Sequence, residues 1–145
     1  MGYIPASESR EPDYQIVIPS LLQRLNEIED LTERVAAEHH MSEDDRDNLA
    51  IAITETVNNA MIHGNKLDPK KNVIISFYFD AQTLRVYIRD HGVGFDPSHV
   101  GNPLDPENIM KESGRGIFIL RSIMDGVDFI RLHDGTEVRI TKRVN

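Results

Sequence analysis

From position 14 the chain places β-formers in a short run, Tyr14-Gln-Ile-Val-Ile18, closed by Pro19, which predicts an edge strand. The apolar period then changes. Leu21, Leu22, Leu25, Ile28, Leu31 and Val35 recur at helical spacing behind Ser20, which is placed to cap that helix, and His39-His40 suit its negative end. Ser42 followed by Glu43, Asp44 and Asp45 marks a second helix start. Its inward set is Leu49, Ile53, Val57, Ala60 and Met61, and Gly64 is expected to stop it. Val73–Phe79 and Leu84–Arg89 predict an antiparallel hairpin across Asp80-Ala-Gln. From His91 to Ser113 no periodicity is sustained, and a loop that long is expected to be functional or mobile. Gly116 to Met124 predicts a helix with Ile117, Leu120 and Met124 inward. Gly126–Leu132 and Thr136–Thr141 predict a last hairpin around Asp134-Gly135. The sum is an α+β fold: a two-layer sandwich with a mixed, mostly antiparallel sheet and helices on one face.

Length and charge narrow the class. At 145 residues the chain is expected to hold one domain, residues 13–145, behind a flexible N-terminal tail of residues 1–12. A net charge of −8 argues against direct nucleic-acid binding, because such a surface repels phosphates. With no cysteine there is no disulfide framework and no thiolate metal site. No apolar run approaches the ~20 residues of a membrane span, so no membrane contact and a cytoplasmic location are expected.

Three short motifs carry candidate chemistry. Glu55 and Asn59 lie four apart and share a helix face. A carboxylate and an amide oxygen there suit Mg²⁺, although a solvated Glu–Asn pair has the same spacing. Asp90 ends an alternating strand and leads into Gly92-x-Gly94, where glycine permits close ligand approach. Its carboxylate is placed to accept a hydrogen bond from an exocyclic amine such as adenine's, or simply to shape an Asp-Gly turn. Ser113-Gly114-Arg115-Gly116 opens a helix whose free N–H groups attract phosphate; an ordinary glycine-rich helix start reads the same. His63 and His91 flank these groups.

Taken in this order, the motifs resemble the GHKL (Bergerat-fold) ATP-binding superfamily. Within it the chain looks most like the anti-sigma serine/threonine kinases of the RsbW/SpoIIAB type. Glu55-x-x-x-Asn59-Ala60-x-x-His63-Gly64 matches the N box, Asp90-x-Gly92-x-Gly94 the first glycine box, and Ser113-Gly114-Arg115-Gly116 the second. The resemblance implies that Glu55 is the catalytic base and Asn59 the Mg²⁺ ligand. It implies that Asp90 reads adenine, and that His63, Gly92, Gly94, Gly114, Arg115 and Gly116 complete the ATP site, with an ATP lid at about residues 96–112. It further implies an ATP-dependent kinase that phosphorylates a serine on a STAS-domain anti-anti-sigma protein and binds a sigma factor, as a homodimer. The alternative is a non-catalytic ATP-binding module that sequesters a partner protein.

Overall fold

The computed structural model describes residues 2–92 and 116–144, with side chains from Ile119 onward in the second stretch. In chain order the elements are β1 (Tyr14–Pro19), a 3₁₀ turn (Leu22–Arg24), α1 (Leu25–Glu38), α2 (Glu43–Asn59) and a π turn (Ala60–Gly64). They continue as β2 (Asn72–Asp80), β3 (Thr83–Arg89), α3 (Gly116–Ile123), β4 (Gly126–Leu132) and β5 (Gly135–Arg143). The strands form one sheet in the order β1-β2-β3-β5-β4, with β1 at an edge as expected. Every described pairing is antiparallel.

Strand alternation assigns the two faces of the sheet. Val73, Ile75 and Phe77 of β2, Leu84, Val86 and Ile88 of β3, and Val138 and Ile140 of β5 pack into one core with the helices. The helices contribute Ile28 and Val35 from α1, Leu49, Ile53 and Val57 from α2, and Leu120 from α3. Each such side chain stabilises the fold by about 1.5–3 kcal/mol when fully buried, so this layer supplies the main cohesion. Ser42 caps α2 as its sequence position predicts, its Oγ accepting the Asp45 N–H at 3.2 Å. Among the described residues no helix is long and apolar enough to cross a membrane.

The opposite face carries Ser76, Tyr78, Arg85, Tyr87, Arg89 and Glu137, and residues 2–13 run across it. Tyr3 Oη donates to Glu137 Oε1 at 2.6 Å. The Glu8 carboxylate takes two hydrogen bonds from Arg85, at 2.7 and 2.9 Å, and a third from Tyr87 Oη. Burial pushes the Glu8 carboxyl up, but the Arg85 and Tyr87 hydrogen bonds together outweigh it and hold the group below its usual range. Arg10 lies over the Tyr78 ring at 5.0 Å, and its Nη2 donates to the Phe79 carbonyl at 2.9 Å.

Three local expectations are corrected. Ser20 caps no helix: it is buried, donates from Oγ to the Lys71 carbonyl at 2.7 Å, and so ties the end of β1 to the loop before β2. The last hairpin turns at His133-Asp134, with Leu132 paired to Gly135, so Gly135 begins β5 instead of making the turn. The second helix does not end in a left-handed glycine. It widens into the π turn, closed by Asn65 N–H to the Ala60 carbonyl at 2.8 Å, and the chain reverses at Lys66 and Leu67, whose φ angles are +55° and +56°. The physical reason is that Gly64 is required for close approach to Asp90, not for a turn.

Ala81, in the two-residue β2–β3 turn, sits at φ +53°, where a Cβ is unfavourable. Ala81→Gly is therefore expected to stabilise the protein by about 1 kcal/mol. The measurement is the urea midpoint at unchanged m-value; a lower midpoint contradicts it.

Candidate functional site

The site is built where the C-terminal end of α2 meets the ends of β3 and β5. Glu55 and Asn59 occupy successive turns of α2, and both are half-buried. Asn59 Nδ2 donates to the Glu55 carbonyl at 3.0 Å and to Glu55 Oε1 at 3.2 Å. The same-face spacing read from the sequence is thus a direct contact, with the amide nitrogen committed to Glu55. His63 lies one turn further on, within the π segment, and is also half-buried. Insertions of this kind change the direction of the residues that follow, and they concentrate at functional positions.

Asp90 is buried beside this turn, just past β3. Its Oδ1 accepts the Gly92 N–H at 3.0 Å and the Thr136 N–H at 3.1 Å, and its own N–H donates to the Thr136 carbonyl at 2.9 Å. Loss of water raises its carboxyl above the usual aspartate range, against the opposing pull of those two N–H groups and of Arg89 and His91. Three glycines crowd it. A Cβ on Gly64 would lie 2.3 Å from Asp90 Oδ2, one on Gly92 would lie 1.9 Å from the Gly64 carbonyl oxygen, and one on Gly135 would lie 2.2 Å from the Asp90 carbonyl oxygen. Gly135 also has φ +152°, which an L side chain rarely adopts.

Asn65 locks the arrangement. It is fully buried, donates from Nδ2 to Ser20 Oγ at 2.8 Å and to the Asn72 carbonyl at 3.0 Å, and accepts the His91 N–H on Oδ1 at 2.8 Å. His91 Nδ1 lies 3.0 Å from the same Asn72 carbonyl. Sequence reasoning placed none of Asn65, Ser20, Thr136 and Gly135 at the site, and it read Ser20 as a helix cap and Gly135 as a turn residue. For Asn65 the available signal is its place directly after His63-Gly64. For the others the partners are far apart in the chain.

Behind Asp90, on the other face of the sheet, Arg89 donates from Nη2 to Asp134 Oδ1 at 2.8 Å and lies under the Tyr3 ring at 5.7 Å. Its Nε and Nη1 have no hydrogen-bond partner among the described residues. Glu137, its cross-strand partner, is buried and raised in pKa, first by desolvation. Gly94, Gly114 and Arg115, with the lid at 96–112, lie outside the described residues. Gly116 begins α3, in keeping with the expected glycine-led helix start.

The donor set fits a nucleotide with a hard cation. An amide and a carboxylate lie on one face of α2, and Asp90 packs its Oδ2 against the bare Cα of Gly64, where a side chain has no room. Among the described residues no group of three or more His, Cys, Asp or Glu gathers. A cation here would take an amide ligand and complete its shell with water and ligand oxygens, as Mg²⁺ does.

Two outcomes follow from this geometry. Gly92→Ala is expected to destabilise the fold by about 1–3 kcal/mol, since its Cβ would meet backbone; an unchanged urea midpoint contradicts the close approach. Asp90→Asn keeps an acceptor oxygen while removing a desolvated charge. Because the folded Asp90 pKa is raised, wild-type stability falls as pH rises through that value. The variant should therefore gain melting temperature over wild type above that pH and lose the advantage below it. Scanning calorimetry from pH 4 to 8 checks the sign, and a variant less stable across the whole range refutes it.

Known proteins resemble this chain in sequence and in fold. Residues 18–142 match the histidine kinase-like ATPase domain. The anti-sigma F factor of Anoxybacillus flavithermus is 33% identical over 106 residues, covering 70% of this chain and 71% of that protein. The serine-protein kinase RsbW of Bacillus licheniformis is 28% identical over 149 residues, covering 99% of this chain and 86% of that protein. In fold, 90% of the chain superposes with TM-score 0.67 and 15% identity on a crystal structure of the RsbU and RsbW domains of a Mycobacterium tuberculosis protein, of which it spans 31%. The chain belongs to the GHKL, histidine kinase-like ATPase family, among its members of the RsbW and anti-sigma F factor type.

Proposed function

We propose that this protein is an ATP-dependent serine/threonine protein kinase that acts as an anti-sigma factor in a partner-switching system. Its substrate is a serine on a STAS-domain anti-anti-sigma protein, and its regulatory target is a sigma factor, bound by a homodimer in the cytoplasm. The observation that carries this reading is the contact of Gly64 and Asn65 with Asp90 and His91. It joins the helix bearing Glu55 and Asn59 to the buried carboxylate at the strand end. The names of the relatives support it, one an anti-sigma F factor and another a serine-protein kinase.

In this reading Asp90 Oδ2 accepts the adenine amino group, while its Oδ1 stays with the two backbone N–H groups. The Gly64–Gly92 contact keeps side chains away from the base. Asn59 gives its amide nitrogen to Glu55 and its oxygen to Mg²⁺, so one bond orients both groups. Mg²⁺, when bound, neutralises charge on the phosphate oxygens. Glu55 takes the proton of the substrate hydroxyl at a carboxylate oxygen as the hydroxyl oxygen bonds to the γ-phosphorus of ATP and the bond from that phosphorus to the β,γ-bridging oxygen breaks, with ADP as the leaving group. Glu55 and Asn59 are attached about one helical turn (~6 Å) apart along α2 with their side-chain ends in contact, so hydroxyl and phosphate are brought together by one rigid element. Gly94, Gly114, Arg115 and Gly116 are assigned to the phosphate side, with residues 96–112 as the lid.

The test is transfer of labelled phosphate from Mg·ATP to STAS-domain proteins. Glu55→Ala should lower transfer by about 10²-fold or more while ATP affinity stays within a factor of about three. Asn59→Ala should weaken ATP binding by about tenfold when Mg²⁺ is present and much less in EDTA. ATP binding with no transfer to any partner would instead establish the sequestering module.

A further inference from the structure

Beside the base, and separate from Asp90, α1 and α2 leave a groove between their facing stripes. It encloses about 470 Å³ and is lined by Glu29, Thr32 and Glu33 of α1, by Ala50, Ile51, Thr54 and Glu55 of α2, and by Ile119 of α3. The floor is apolar. Ile51 is 51% exposed in the middle of a helix whose neighbouring apolar residues Leu49, Ala52 and Ile53 are buried. Ile51 therefore gives the groove an exposed apolar surface that a partner's apolar side chain would take out of water.

The rim is acidic. Glu29 and Glu33 stand four residues apart on the α1 side, and Glu55 closes the groove on the α2 side. Among the described residues Arg46 pairs with the rim, reaching Glu33 at 3.8 Å while its Nε is held by the Met41 carbonyl at 2.9 Å. Glu29 has no ion pair among the described residues.

We infer that this groove seats the acceptor segment of the protein substrate: an extended, serine-bearing stretch with an apolar anchor over Ile51 and a basic side chain between Glu29 and Glu33. This deepens the kinase reading and rests on it for the identity of the base. Charge complementarity selects the occupant, because a basic side chain meets a carboxylate rim on a chain of net charge −8. Spacing selects the register. Ile51 and Glu55 are four residues apart on α2, a rise of about 6 Å. An extended chain covers that in about two residues at ~3.3 Å each, so the apolar anchor falls two positions from the serine.

The probe is a fluorescein-labelled eleven-residue peptide with a central serine, leucine two positions to either side and lysine elsewhere. Its counterpart carries glutamate in place of lysine. Binding to the full chain is read by anisotropy with Mg²⁺ and a non-hydrolysable ATP analogue, and transfer is read separately with labelled ATP. The lysine peptide should bind at least about tenfold more tightly than the glutamate peptide. Ile51→Glu should weaken it by about tenfold, the worth of one apolar anchor. Glu29→Lys should do the same, whereas Glu11→Lys, an equal charge change on the N-terminal segment, should stay within about twofold. Moving the leucines to neighbouring positions should also weaken binding.

Equal effects of Glu29→Lys and Glu11→Lys, or unchanged binding in Ile51→Glu, overturn the groove. Circular dichroism of each variant separates loss of binding from loss of fold, and Ile51→Ala serves as the milder variant where Ile51→Glu unfolds. Specific binding without phosphate transfer to any serine substrate upholds the groove and removes the kinase reading. Transfer to a serine substrate that is equal in wild type and Ile51→Glu upholds the kinase and removes the groove.

Discussion

A carboxylate taken out of water is the constraint around which this protein is organised. Asp90 lies buried at the end of β3, with two backbone N–H groups on Oδ1 and a glycine Cα facing Oδ2. Burying a charge is unfavourable unless it is closely hydrogen-bonded. Close hydrogen bonding here requires the backbone to approach from several directions at once. Gly64, Gly92 and Gly135 are the places where it does so, and each comes from a different part of the chain. The buried amide of Asn65 then fixes the strand end against the loop before β2 and the end of β1.

That constraint also ties the end of β3 to the end of α2. The π turn that brings Gly64 onto Asp90 directly continues the helix carrying Glu55 and Asn59. Asp90 and the end of α2 are therefore packed against each other through this one turn. Lys66 and Leu67, both at positive φ without being glycine, show that the chain accepts local backbone strain to complete this turn. The surrounding bonds, Leu67 N–H to the Met61 carbonyl at 2.8 Å among them, hold that strain in place.

The reverse face of the sheet serves the same strand ends. Tyr3, Arg89, Glu137 and Asp134 form a polar cluster directly behind Asp90, and the segment that supplies Tyr3 also supplies Glu8 and Arg10 to the tyrosines of β2 and β3. The sequence predicts only a flexible tail there. A short polar stretch with prolines has no period to betray which surface it will cover, and its partners on β2, β3 and β5 lie more than 60 residues away.

Periodicity by itself determined the elements. Alternation in Val73–Phe79 and Leu84–Arg89, and the helical spacing of Leu49, Ile53 and Val57, follow from how each backbone presents successive side chains, so they are readable locally. The pairing of Glu55 with Asn59 was legible for the same reason. What only the tertiary structure decided were contacts between distant segments. Ser20 became a tie to Lys71 instead of a helix cap, and Gly135 became the neighbour of Asp90 instead of a turn residue. Gly64 exchanged the role of helix stop for that of a bare surface beneath a carboxylate. A glycine in a sequence says that a side chain is absent. Whether that absence serves a turn or an approach depends on what folds against it, and no local pattern carries that information.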